Sequence, residues 1–195
     1  MKKTLLIVIG AILLLIAMYG CTYNGFVKDR ENVDSQWANV ETMYQKRADL
    51  IPNLVATVKG FAAHEEKVFT EIAESRSKLG GSVNLDSSIT DDPEKFAQFQ
   101  KAQSELSAGI GRLLALSENY PSLKSNENFL DLQSQLEGLE NRISTERKRY
   151  NDAARDYNTS IQKFPGSIIA NMSGFKKKAY FQAEEKAYKA PSVQF

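Results

Sequence analysis

The chain opens on an uncharged run from Thr4 to Val27, dense in Leu and Ile between Leu5 and Ala17 and preceded by Lys2 and Lys3. About 20 apolar residues cross a bilayer as a helix, so the run predicts a membrane anchor over residues 1–23, with Tyr19 and Tyr23 as interfacial aromatics. Past it, apolar residues advance in steps of three and four: Val33, Trp37, Val40, Tyr44, Ile51, Leu54, Val58 and Phe61, with Arg47 as a charged interruption. This is the seam of a helical bundle or coiled coil. The register holds across Pro52, even though proline removes a backbone donor and crowds the carbonyl four residues back. A continuous, kinked helix over about 24–59 is therefore predicted rather than a chain reversal.

Gly60 in a left-handed conformation, with Phe61 as its apolar contact, is the expected stop. Glu65 and Glu66 suit the first turn of a second helix carrying Val68, Phe69, Ile72 and Leu79. The Gly/Ser-rich stretch 80–91 reads as a loop. Asp92, Pro93 and Glu94 then form a near-ideal start for a third helix, with Phe96, Phe99, Leu106, Ile110, Leu113 and Leu114 on its seam. Ser125 is the expected cap of a fourth, whose seam runs Phe129, Leu132, Leu136, Leu139, Ile143, Tyr150, Ala153, Tyr157, Ile161 and Phe164 before "FPG" ends it. The first and fourth helices are each about 55 Å long at 1.5 Å per residue. The predicted fold is all-α: an N-terminal membrane-spanning helix followed by an elongated antiparallel bundle of about four helices. The bundle covers residues 24–166, and a tail over 167–195 packs on the bundle or at the membrane interface.

Charge adds little, because 25 Lys and Arg balance 24 Asp and Glu among 195 residues. No pull toward nucleic acid follows. One Cys and one His supply no zinc site, disulfide framework or Cys–His nucleophile pair. His64 beside Glu65 and Glu66 lacks the second His of a zincin, and helix-start acids explain the glutamates. No cofactor or metal is expected. "MYGC" resembles a lipoprotein box ending at Cys21, although Met18 and Tyr19 depart from its usual residues; the anchor is thus either retained or replaced by lipid on Cys21.

Several stretches are familiar together and in order: "QKRADLIPNLVATVKGFAAHE", "RLLALSENYP", "NENFLDLQSQLEGLENRI", "RYNDAARDYN", "FPG", "GFKKKAYF" and the "AP" near the end. They resemble the LemA family of bacterial membrane proteins across nearly all of Tyr23 to Phe195. The resemblance implies an N-terminal anchor in the bacterial cell membrane, a helical bundle, no established enzymatic activity, and partners among other membrane-associated proteins.

Three sets of residues are candidates for function. Arg47, Asp49, Pro52 and Asn53 form either a partner-recognition notch at a kink or a simple bend with surface charges. Ile168, Ile169 and Phe175 with Lys176, Lys177 and Lys178 combine apolar and cationic groups suited to a membrane interface, or else close the end of the bundle. The fourth helix carries many charges, among them Glu137, Glu140, Glu146, Asp152 and Asp156. A hydrolase would need such carboxylates paired in an inward pocket. The leading expectation is a non-enzymatic, membrane-anchored adaptor or scaffold, with that hydrolase as the alternative; a coiled-coil oligomerisation module leaves oligomer formation open. Lys2 and Lys3 face Lys28 and Arg30 across a single span, and the terminal pair tips the bundle toward the non-cytoplasmic side.

Overall fold

The apolar run and the first bundle helix are one element: in the computed structural model, which describes residues 2–82 and 87–182, α1 (Lys2–Lys59) is an unbroken helix of 58 residues. At 1.5 Å per residue it is about 87 Å long. Its apolar start is exposed from Leu5 to Ile16, whereas from Phe26 onward a buried stripe begins. Pro52 lies inside the helix with its ring toward solvent, between the buried Ile51 and Leu54. The breaker thus sits on the outer face, where the apolar register does not need it.

The remaining helices are α2 (Glu66–Ser82), α3 (Pro93–Ala115), the single turn α4 (Pro121–Lys124), α5 (Glu127–Ser160) and α6 (Gly166–Met172), with 3-10 turns at Ser87–Asp91 and Leu116–Asn119. No strand occurs among the described residues. From Phe26 onward α1 pairs with an antiparallel α5, and α2 pairs with α3 as a shorter hairpin. The core has two compartments. Far from the anchor, Ile51, Leu54 and Val58 meet Ile72, Leu106, Leu113, Phe129 and Leu136. Nearer to it, Trp37 is the hub, with ring centroids of Phe99, Tyr150, Phe96 and Phe181 at 5.4, 5.7, 5.8 and 6.1 Å.

Local chemistry departs from expectation at several ends. Asp92 caps α3 as predicted, accepting from the Glu94 and Lys95 amides. α5 is capped by Asn126, which accepts from the Phe129 amide, and not by Ser125, because the unforeseen turn α4 carries the chain one residue further. Gly60 does not adopt positive φ, and Ala62, not Phe61, enters the core. Stretch 80–91 is not all loop: α2 continues to Ser82, and the following 3-10 turn buries Ile89 and Thr90. Phe164 is 83% exposed and off the seam. The "AP" near the C-terminus and the Leu79 side chain lie outside the described residues.

Trp37 is only 1% exposed at the centre of four other rings, so Trp37→Ala is expected to cost about 3–5 kcal/mol. Denaturant titration measures the loss, and the wild-type emission should be blue-shifted; water-like emission would place the indole outside the core.

Candidate functional site

An extended chain buried against helices must find partners for its amides outside any ladder. Residues 175–182 have no regular structure, yet Lys178 and Phe181 are buried. Two adjacent Tyr-Asn pairs on α5, seven residues apart and hence on one face, supply what they need. Asn158 donates to the Lys178 carbonyl and accepts from its amide, both at 2.8 Å. Asn151 does the same for Phe181, both at 2.9 Å. The Tyr157 and Tyr150 hydroxyls donate to the carbonyls of Lys176 and Ala179, each at 2.9 Å. From the other side the Ala179 amide donates to the Thr90 carbonyl. Burial raises both phenols, Tyr157 from 10.0 to about 12.

Lys178 locks this strap. Its ammonium, 4% exposed, donates to Asp34 of α1, to Thr90 Oγ1 and to Asp91, at 2.9, 2.9 and 3.0 Å. One buried cation thereby joins α1, the 3-10 turn and the strap, with two carboxylates against it.

A second polar centre lies further out, where α3 and α5 stand apart. Arg47, 2% exposed, donates to Ser107 Oγ at 2.7 Å, to Glu140 Oε2 at 3.0 Å and to Gln103 Oε1. Its guanidinium also lies 5.1 Å from the Tyr44 ring centroid, and its Nε is buried without a partner. Burial raises the Tyr44 phenol, against the opposing pull of Arg147 and Arg47. Beside it opens a groove of about 690 Å³, walled by Gln100, Lys101 and Ala108 of α3 and by Glu140 and Arg147 of α5. The Arg47–Glu140 link separates it from a second hollow of about 450 Å³ bordered by Gly111 and Glu137. Glu140 is held on one side only, its side chain 57% exposed. This arrangement can take up a carboxylate or amide from an incoming chain.

These features sit within a region of known kinship. The LemA family pattern matches residues 36–195, a stretch that includes both Tyr-Asn pairs, Arg47 and the groove. The chain belongs to the LemA family. It is similar to the magnetosome protein MamQ 2 of Paramagnetospirillum magneticum, with 31% identity over 178 residues, covering 82% of this chain and 64% of that protein. It is also similar to MamQ of Magnetospirillum gryphiswaldense, with 29% identity over 177 residues and the same coverage of 82% and 64%. The protein LemA of Metamycoplasma hominis is 23% identical over 162 residues, covering 83% of this chain and 69% of that one. The chain therefore spans less than two thirds of the MamQ proteins it matches.

On this LemA bundle the sequence-derived candidates separate. Arg47 turns into the bundle, while Asp49, Pro52 and Asn53 are exposed, Asp49 accepting from Gln45 at 2.9 Å. The four do not form one notch, because positions 49, 52 and 53 lie on the outer face of the helix that buries 47. The tail divides likewise. Ile168, Lys176 and Lys177 are exposed, but Ile169 is in the core, Phe175 packs on Tyr23 and Phe26, and Lys178 is an internal ion-pair centre. Lys178 is thus removed from any headgroup contact. Cys21 is exposed on α1. Among the α5 acids, Glu137 and Asp156 face solvent, Glu140 is bound by Arg47, and Asp152 pairs with Arg155. Glu146 pairs with Arg149, and its other oxygen is buried without a partner. No cluster of metal-ligating groups occurs among the described residues. The strap was missed, although "RYNDAARDYN" repeats Tyr-Asn at a seven-residue interval.

Asn158→Ala should leave the Lys178 amide and carbonyl unsatisfied and cost about 2–4 kcal/mol, measured by denaturant midpoint, with Asn158→Asp only partly restoring stability. Alkaline behaviour supplies a second prediction. A phenol raised from 10.0 to about 12 binds its proton more tightly when folded, so its stabilisation is complete below pH 10 and lost as pH rises through 12. Tyr157→Phe should therefore flatten the fall in stability over that window; an unchanged slope would exclude Tyr157 as a source.

Proposed function

We propose that the protein is a membrane-anchored, non-enzymatic adaptor or scaffold whose groove beside Arg47 takes a carboxylate-bearing segment of another membrane or membrane-associated protein. The apolar run of α1 is long enough to cross a bilayer as a single span; with two cations on each side of it, the tight Lys2–Lys3 pair at the N-terminus tips the bundle toward the non-cytoplasmic side of the bacterial membrane. We take the anchor as retained, with Cys21 inside it. Because α1 continues from the run into the bundle without a break, the groove is held at a set height above the surface.

The observation that carries this reading is the half-used guanidinium. Arg47 is buried, its Nε has no partner, and the carboxylate it holds belongs to the exposed Glu140. An acidic side chain from a partner can replace Glu140 without leaving a buried charge alone, the circumstance that makes breaking such pairs costly. Lys101 and Arg147 at the rim add attraction for the same chemistry.

A photo-crosslinking residue at Ala108, on the groove wall, should give discrete adducts in native membranes, and the same residue at the exposed Asp131 should not. Lys101→Glu should remove the Ala108 adducts while leaving the melting temperature unchanged. Equal adducts from both sites, none from Ala108, or indifference to Lys101→Glu would overturn the groove as the partner site.

A further inference from the structure

Resting on the reading of the apolar run as a membrane span, we infer that α6 and the turn after it form a foot that enters the bilayer beside α1. Residues 164–175 contain no charge and are bracketed by Lys163 and Lys176, just as the span is bracketed by Lys3 and Lys28.

Depth follows from contacts to α1. α6 begins at Gly166, where an added Cβ would stand 2.9 Å from a Phe26 ring carbon, and ends near Tyr19, whose hydroxyl lies 3.0 Å from Ser173 Oγ. The chain turns at Gly174, with φ of 74°, and climbs again past Tyr23 and Phe26 through Phe175. From Lys3 to Lys28 the helix rises about 37 Å, and the hydrocarbon core occupies about 30 Å of that. Wherever the remainder is divided, the hydrocarbon edge falls at or beyond residue 23. Tyr19 is about 6 Å or more below that edge, and helical side chains lean toward the N-terminus, which is further in. The Ser173–Gly174 tip is at that depth.

The foot is made for such a place. Met172 is 76% exposed and Ile168 54%, on the face turned from the bundle. Backbone donors in hydrocarbon must be satisfied internally; the amides of Ser173, Gly174 and Phe175 donate to Ile169, Asn171 and Ala170. Arg30 lies 5.6 Å from the Phe175 ring centroid, and Lys163, Lys176 and Lys177 are exposed, a cationic ring one step above the apolar tip, where headgroup phosphates lie.

The test uses the full chain with Cys21→Ser and a single environment-sensitive fluorophore at Leu13→Cys, Met172→Cys or Asp131→Cys, reconstituted in phosphatidylcholine–phosphatidylglycerol vesicles. Quenching is read from lipids spin-labelled near the headgroup or deep in the chain, and from aqueous iodide. The foot requires the Met172 probe to be quenched by the shallow spin label and to respond to iodide several-fold less than Asp131. If Leu13 is quenched by lipid but Met172 behaves like Asp131, the foot is refuted and the span stands. If Leu13 is not quenched, the span itself fails. If Met172 is shielded from iodide without lipid quenching, a second protein surface covers it and the lipid assignment is overturned.

Discussion

A buried stretch of backbone without helix or ladder is costly in a helical bundle, since each unmet amide or carbonyl forfeits about 1–3 kcal/mol. The strap through residues 175–182 is such a stretch, and the membrane-proximal half of the protein is arranged around satisfying it. Two asparagine side chains reproduce on α5 the paired donor and acceptor that a neighbouring strand would offer. Two tyrosines take the carbonyls of Lys176 and Ala179. Once docked, the strap delivers Phe181 to Trp37 and Phe96, and Lys178 to Asp34 and Asp91. Core packing, ion pairing and the position of the 3-10 turn all rest on those side chain–backbone bonds.

The strap also explains how the bundle is braced against a long helix. α1 alone would leave the bundle on a single stalk. Instead α6 and the strap return along its flank, touching it at Tyr19, Tyr23, Phe26 and Asp34. Contact over four turns converts a stalk into a paired root.

Much of the fold was legible because apolar spacing alone reports a helical face. The seams of α1 and α5 reappear as buried stripes, including Trp37, Leu54, Phe129 and Tyr157, and "DPEK" encodes the start of α3 in the chemistry of its own residues. The strap was opaque for the opposite reason. Its stability comes from long-range side chain–backbone bonds, and no local periodicity marks an extended segment whose partners lie 20 or 30 residues away. Lys176, Lys177 and Lys178 look alike as a run, yet the placing of Asp34 and Asp91 draws only the last inward. Arg47 was visible as an interruption of the seam, but its partners on α3 and α5 are far off in sequence.

The two buried cations then differ in a way that matters for function. Lys178 is answered by two carboxylates and a hydroxyl, in a site closed by the strap, so its charge is spent on cohesion. Arg47 is answered by a single carboxylate that solvent also reaches, plus neutral oxygens, and one of its nitrogens has none. If arginine were kept there for stability alone, an apolar residue of similar volume would serve as well or better, because desolvating an ion pair commonly costs as much as the pair returns. Apolar seam residues already flank position 47 on both sides, Val40 and Tyr44 in one compartment and Ile51 and Leu54 in the other. In the adaptor role proposed above, a guanidinium left incompletely matched at the edge of a groove between two helices serves by what it can hold rather than by what it stabilises.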